Sequence, residues 1–149
     1  ILREMYFEDY IPGDVYDCGE MPVTREDIVD FARRWDPQPM HIDPEAAARG
    51  RFGGLIASGW HTVAMAMRLY VDHYLSGPAS LASPGTDEIR WPNPVRPGDT
   101  IRVRVTVVDV VPSKRGDRGL VHARLEARNQ RDEPVLTAKM MSIVGKRPS

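Results

Sequence analysis

One segment, residues 60–75, constrains the fold more than any other because it is apolar on nearly every side. A helix without a continuous polar face is normally wrapped by other structure. The sequence therefore predicts a long central helix, and the rest of the chain must supply the layer that covers it. Its apolar positions are Val63, Ala64, Met65, Ala66, Met67, Leu69, Tyr70, Val71, Tyr74 and Leu75.

Strand patterns follow this helix. Residues 100–111 and 120–129 alternate between apolar and polar side chains, which is typical of half-buried strands, and residues 135–144 are more continuously apolar. Residues 86–91 and 15–23 are shorter strand candidates. Helical patterns come early and an antiparallel meander comes late, so we expect an α+β fold in which a curled antiparallel sheet holds the long helix.

Two further helices are predicted before the central one. Thr24 resembles an N-cap, and Pro37 ends the helix that follows it. Asp43 and Pro44 open a second, shorter helix that Gly50 stops. The first helix is expected to bury one face because its apolar residues recur at helical spacing: Ile28, Phe31, Ala32 and Trp35. Residues 76–85, rich in Ser, Gly and Pro, are predicted to form a mobile loop.

The composition of the chain limits the number of domains, the kinds of partner and the location to be expected. A chain of 149 residues with 42% hydrophobic residues is expected to form one domain, residues 1–149. The net charge of −1 and the scattered basic residues argue against a nucleic-acid partner. Cys18 is the only cysteine, which excludes an internal disulfide and fits a cytoplasmic location. No stretch has the length or apolarity of a membrane span or a signal peptide.

Asp36 and His41 are the candidate catalytic pair. Pro37 and Pro39 stiffen the backbone between them, so a carboxylate and an imidazole are held on one stiff loop. Histidine titrates near neutrality, and a partly buried carboxylate can be tuned towards it, as proton transfer requires. No third ligand stands at a recognised spacing from His41 and Asp43, so we expect no metal site.

The segment Asp36-Pro37-Gln38-Pro39-Met40-His41 resembles the D-x-N-P-x-H signature of the MaoC-like, R-specific enoyl-CoA hydratases and dehydratases. The resemblance covers nearly the whole chain, since flanking segments agree in order: Thr24-Arg25-Glu26-Asp27-Ile28, His41-Ile42-Asp43, Arg51-Phe52-Gly53-Gly54, Ile56-Ala57-Ser58-Gly59 and Arg96-Pro97-Gly98-Asp99-Thr100. One position departs from the signature, because Gln38 stands where the family has Asn.

The resemblance implies a hot-dog fold, in which a curled antiparallel sheet wraps the long helix and residues 36–54 cover the active site. It also implies a homodimer or a higher homo-oligomer. The implied reaction is the reversible hydration of a trans-2-enoyl thioester to an (R)-3-hydroxyacyl thioester. The substrate is a small acyl thioester, and coenzyme A enters only as part of it, so no cofactor is expected.

The resemblance also implies roles for single residues. Asp36 and His41 would hold the water and move protons, and the Gly59 N–H would stabilise the thioester oxyanion. The remaining candidates for contact with the substrate are Gln38, Ser58 and His61. The candidates for contact with the phosphates of coenzyme A are Arg90, Arg96 and Arg102.

Two other functions stay open at this point. A hot-dog thioesterase would use a carboxylate on or near the central helix, where the sequence offers only Asp72. The other alternative is a hot-dog protein that binds acyl thioesters without turnover. It stays open because Gln38 replaces the Asn of the family signature. The pair of Asp36 and His41 favours hydration over both.

Overall fold

A curled antiparallel sheet forms the body of the protein, and one long helix lies against its inner face. The computed structural model describes residues 4–75 and 77–149. Residues 1–3 and Ser76, the first residue of the predicted loop, lie outside the described residues. After a single 3-10 turn (Phe7–Asp9), the elements are β1 (Val15–Pro22), α1 (Arg25–Trp35), α2 (Pro39–Ile42), α3 (Pro44–Arg49), α4 (Gly59–His73), β2 (Ser80–Ala82), β3 (Thr86–Arg90), β4 (Thr100–Pro112), β5 (Arg118–Arg128) and β6 (Pro134–Gly145).

The sheet has the strand order β1-β4-β5-β6-β2, and β3 also pairs with β6. Every pairing is antiparallel, and the register aligns apolar residues across neighbouring strands: Val103 lies opposite Ala127, which lies opposite Leu136. All three side chains are buried. Because side chains alternate between the faces of a strand, this register gives the sheet a continuous apolar inner face. The predicted meander and the hot-dog fold are therefore confirmed.

Helix α4 is the predicted central helix. Met65, Ala66, Leu69 and Tyr70 point into the main hydrophobic core together with residues of the sheet. The helix is not covered all round, however, because an apolar stripe of α4 remains exposed: Trp60, Ala64, Met67 and Val71. These positions follow one another at intervals of four, three and four residues, so they lie on one face of the helix.

Three local features differ from the sequence predictions. Trp35 is 68% exposed, so the prediction that it is buried with Ile28 and Ala32 is wrong. The helical period continues to this last residue of α1, but the core buries only Ile28 and Ala32, and Phe31 is half-buried. Residues 39–42, expected to belong to a stiff loop, form the short helix α2, which begins at Pro39. Within the predicted 76–85 loop, residues 80–82 form β2.

No helix in the described part of the chain has the length and apolarity needed to cross a membrane.

Candidate active site

The end of α1 places the Asp36 carboxylate. Asp36 is the C-cap of α1, and its backbone N–H donates to the Ala32 carbonyl over 2.8 Å. Pro37 prevents the helix from continuing, because it lacks an N–H and clashes with the preceding turn. The chain then turns into α2, which carries His41. The prolines thus set the backbone between Asp36 and His41, as the sequence predicts, and the two side chains come into contact.

Asp36 and His41 face each other at a distance of 3.4 Å between Oδ2 and Nε2. The Ser58 hydroxyl donates to Asp36 Oδ2 over 2.6 Å, and the Gln38 amide donates to Oδ1 over 2.7 Å. Burial raises the pKa of the Asp36 carboxyl, but these two hydrogen bonds and the neighbouring imidazole lower the pKa by more. The net pKa lies below the usual value for aspartate, so the group is a carboxylate at neutral pH.

The backbone fixes the orientation of the His41 ring. His41 is 4% exposed, and its Nδ1 lies 2.8 Å from the carbonyl oxygen of Ile56. A carbonyl only accepts, so Nδ1 carries the proton and, in the neutral ring, Nε2 presents a lone pair towards Asp36. Two acceptors then face each other across 3.4 Å. A water molecule has two O–H donors and could donate one to each acceptor.

Ser58 and Gly59 form the N-terminus of α4 beside this pair. Ser58 is the N-cap: its hydroxyl accepts from the Trp60 N–H over 3.3 Å while it donates to Asp36. As the first helical residue, Gly59 carries an N–H that no carbonyl of the helix can accept. The free N–H and the positive end of the helix dipole together favour a negatively charged oxygen at this point.

Trp91 packs against Gly59 so closely that no side chain fits there. A Cβ built on Gly59 would lie 2.5 Å from Cε2 of the Trp91 indole and 2.7 Å from Cδ2. The Trp91 ring in turn meets the Trp60 ring edge-on, with 5.3 Å between the ring centroids. Glycine at position 59 therefore lets an aromatic wall approach the helix N-terminus directly.

These groups open onto a cavity of about 380 Å³. Asp36, Gln38, His41 and Gly59 line it on the polar side, as the sequence predicts. Sequence reasoning missed the aromatic and proline-rich side, because Trp91 was predicted only as the end of the strand candidate 86–91 and was not named as a site residue. The lining residues on that side are Phe52, Trp60, Trp91, Pro92 and Pro94.

The structure does not bring His61 to the cavity. Its ring stacks on Phe31 of α1, with centroids 4.9 Å apart and planes 15° from parallel, and the residue is 6% exposed. Burial lowers the pKa of the His61 imidazole, and the Asp27 carboxylate offsets part of that effect. The ring joins α1 to α4 and is not among the residues that line the cavity, so the structure places His61 apart from the other candidate residues.

Other candidates are also placed away from the pair. Asp72, the carboxylate a thioesterase would need, is an exposed residue in the last turn of α4, paired with Arg68 over 2.8 Å. Arg102 forms an ion pair with Asp17 on the sheet. Among residues 4–75 and 77–149, no three His, Cys, Asp or Glu side chains are grouped to hold a metal ion.

The curled antiparallel sheet and its central helix are the hot-dog fold. The family model described as "MaoC like domain" matches residues 9–129, and the chain belongs to this family.

Similarity to individual proteins agrees with this family assignment. The chain is 42% identical to the MaoC-like dehydratase from Rhodospirillum rubrum, whose crystal structure it matches with a TM-score of 0.88 over 97% of this chain and 99% of that one. It is 31% identical over 140 residues to the uncharacterized protein YdeM of Bacillus subtilis strain 168, covering 94% of this chain and 99% of YdeM. It is 33% identical over 118 residues to 3-hydroxybutyryl-CoA dehydratase of Methylorubrum extorquens, covering 78% and 73% of the two chains.

Proposed function

We propose that this protein hydrates trans-2-enoyl thioesters to (R)-3-hydroxyacyl thioesters and catalyses the reverse dehydration. The observation that carries the proposal is the pair of acceptors, Asp36 Oδ2 and His41 Nε2, set 3.4 Å apart at the wall of the cavity. The dehydratase activity named for the Methylorubrum extorquens relative supports the same reaction class.

The pair can hold and activate the water. In the hydration direction the water oxygen attacks C3 of the enoyl group, one proton leaves the water for the Asp36/His41 pair, and one proton passes from the pair to C2. The pair ends each cycle in its starting protonation state. Because two coupled groups share the proton, the pair acts as one acid/base unit. Addition of water across the double bond balances with the enoyl thioester and one water molecule as the only reactants.

The N-terminus of α4 supplies the complementary charge. As C3 is attacked, negative charge develops on the thioester oxygen, and the Gly59 N–H would donate to it; Gly59 begins α4 and lines the cavity, which supports this role. Ser58 acts through Asp36, because its hydroxyl holds Oδ2 at 2.6 Å. Gln38 does the same for Oδ1, so in this chain the longer amide orients the carboxylate.

A second copy of the chain is the proposed partner. The exposed stripe on α4, made up of Trp60, Ala64, Met67 and Val71, is apolar, and such surface is normally covered in a stable assembly. It is continuous with the active site because Trp60 also lines the cavity. A homodimer would therefore cover the stripe and finish the cavity wall. Size-exclusion chromatography with light scattering tests this directly, and a monomer at micromolar concentration would contradict it.

The test of the activity is the loss of the conjugated enoyl absorbance of crotonyl-CoA. Replacing the carboxylate in Asp36→Asn should reduce kcat by about 10² to 10⁴, the usual contribution of a general acid/base group. Asp72→Asn, which removes an exposed carboxylate on α4, is the matched control and should leave the rate unchanged. Both variants should keep the melting temperature within a few degrees.

Three results would contradict the proposal. Full activity in Asp36→Asn would remove the carboxylate from the mechanism. Release of free thiol by the wild type without hydration, lost in Asp72→Asn, would identify a thioesterase. Tight binding of crotonyl-CoA with no absorbance change and no thiol would identify a binding protein.

A further inference from the structure

The two halves of the candidate active site lie on different helices. Asp36 is the C-cap of α1, and Gly59 is the first residue of α4. The placement of the carboxylate relative to the Gly59 N–H therefore depends on how the two helices are held together. One direct tie is the hydrogen bond from the Ser58 hydroxyl to Asp36 Oδ2, 2.6 Å long. A single hydrogen bond joins two helices at one point and leaves the angle between them free to change.

A second tie lies about one helical turn away. The His61 ring of α4 stacks on the Phe31 ring of α1, with 4.9 Å between the centroids and 15° between the planes. Phe31 comes five positions before Asp36 and His61 three positions after Ser58, so the stack is roughly 4–8 Å from the hydrogen bond along each helix axis. In the described part of the chain it is the one ring contact between α1 and α4. Two separated contacts can fix the angle between two helices as well as their distance.

The His61 ring acts in this contact through its flat faces. It is 6% exposed, and within residues 4–75 and 77–149 its buried Nδ1 has no hydrogen-bond partner. Burial lowers the pKa of the imidazole by more than the Asp27 carboxylate raises it, so the ring is uncharged at neutral pH. Stacking is what such a ring contributes, and a phenyl ring could contribute the same. A small side chain could not.

We propose that His61 is a positioning residue, whose stack on Phe31 fixes the angle between α1 and α4 and so sets Asp36 relative to the Gly59 N–H. The importance of this setting for hydration rests on the proposed function, but the tie between the helices does not. A misplacement of about 1 Å in an active site can cost about 10² in rate. Because His61 does not line the cavity, its loss should act on kcat and leave KM unchanged.

Kinetics with crotonyl-CoA test the positioning role. His61→Ala and Phe31→Ala each remove one ring of the stack and should lower kcat by about tenfold to 10², with KM near the wild-type value. The double variant should be about as slow as the slower single variant, because both changes remove the same interaction. His61→Phe keeps a flat ring and should recover most of the lost kcat.

Val29→Ala is the matched control for stability. Val29 is also a half-buried residue of α1, and it packs against the core without taking part in the stack. Its truncation should lower the melting temperature and leave kcat unchanged. The comparison separates a loss of positioning from a general loss of stability.

Hydrogen exchange measures the tie without any substrate. In His61→Ala the end of α1 should open more readily, so the amides of residues 28–36 should exchange about two- to tenfold faster, the factor that an aromatic pair is worth. This acceleration should exceed that of the amides of β5, which lies in the middle of the sheet and reports global unfolding. His61→Phe should protect residues 28–36 as the wild type does.

The two proposals fail in different ways. Faster exchange at the end of α1 in His61→Ala, restored in His61→Phe, without hydration of any enoyl thioester by the wild type, would overturn only the proposed function. Unchanged exchange of α1 or a wild-type kcat in His61→Ala would overturn the positioning role. A raised KM with unchanged kcat, or an inactive His61→Phe with the wild-type melting temperature, would also overturn it, because the role would then belong to the imidazole nitrogens.

Discussion

Replacing Gly59 by alanine tests the packing on which the proposed oxyanion donor, the Gly59 N–H, depends. The added methyl group would lie 2.5 Å from Trp91 Cε2 and 2.7 Å from Cδ2. Ordinary contacts between carbon atoms are about 3.5–4.0 Å, so the indole must retreat by about 1 Å. Trp91 is 41% exposed and can move, but its ring also packs on Trp60, and both rings line the cavity. The movement therefore changes the shape of the active site.

The expected loss of stability is small compared with the loss of activity. Overpacking costs about 1–3 kcal/mol, and the lower backbone entropy of alanine in the unfolded chain returns about 0.5–1 kcal/mol. For a chain of this size, 1 kcal/mol corresponds to about 2–4 °C in Tm, so the melting temperature should fall by only a few degrees. Loss of one oxyanion donor costs about 10²–10³ in kcat, and misalignment of the donor should cost at least about tenfold.

The assay compares Tm by calorimetry with kcat for crotonyl-CoA in the same preparations. Gly50→Ala is the matched control, because a Cβ there would meet the Ala46 and Ala47 carbonyl oxygens at an ordinary 3.5 Å. In a Trp91→Leu background, where the large ring is absent, Gly59→Ala should cost less free energy of unfolding than in the wild type. An equal cost in both backgrounds, or an unchanged kcat, would refute the reasoning.

Two further predictions concern acid stability and the core. Because the pKa of Asp36 is lowered in the folded protein, its carboxylate stabilises the fold above the unfolded pKa of about 3.8, and this stabilisation is lost as the pH falls through the folded pKa. The wild-type free energy of unfolding should therefore fall faster below pH 4 than that of Asp36→Asn, and parallel curves from urea titrations would contradict this. In the core, the hydroxyls of Tyr70 and Ser142 are 2.9 Å apart and buried. Ser142→Ala should cost about 1–3 kcal/mol by leaving the Tyr70 hydroxyl unpaired, whereas Tyr70→Phe with Ser142→Ala should cost less than the sum of the two single changes.

The parts of the structure that depend on short-range patterns could be predicted from the sequence. The apolar run at 60–75 predicts α4, and the alternation in 100–111 and 120–129 predicts β4 and β5. Pro37 and Pro39 hold Asp36 and His41 together through the backbone alone. Each of these features is decided within a few residues, so no knowledge of distant contacts is needed.

The remaining features depend on contacts between distant segments. Trp91 reaches Gly59 across 32 positions of the chain, and only the folded sheet brings the two together. His61 was expected to contact the substrate because it lies two positions after Gly59, but the approach of α1 gives its ring a stacking partner in Phe31.

The role of Gln38 depends both on its position in the local sequence and on contacts that only the folded structure shows. From the sequence, the extra methylene relative to asparagine is a departure from the family signature and weakens the inference of function. In the structure Gln38 is the N-cap of α2, but its side chain makes no capping hydrogen bond and donates instead to Asp36 Oδ1 over 2.7 Å. Ser58, the N-cap of α4, holds the other oxygen of the same carboxylate. With both oxygens held, the carboxylate cannot rotate freely, so the glutamine fixes Asp36 as the proposed hydration requires, and the departure gives no argument against that proposal.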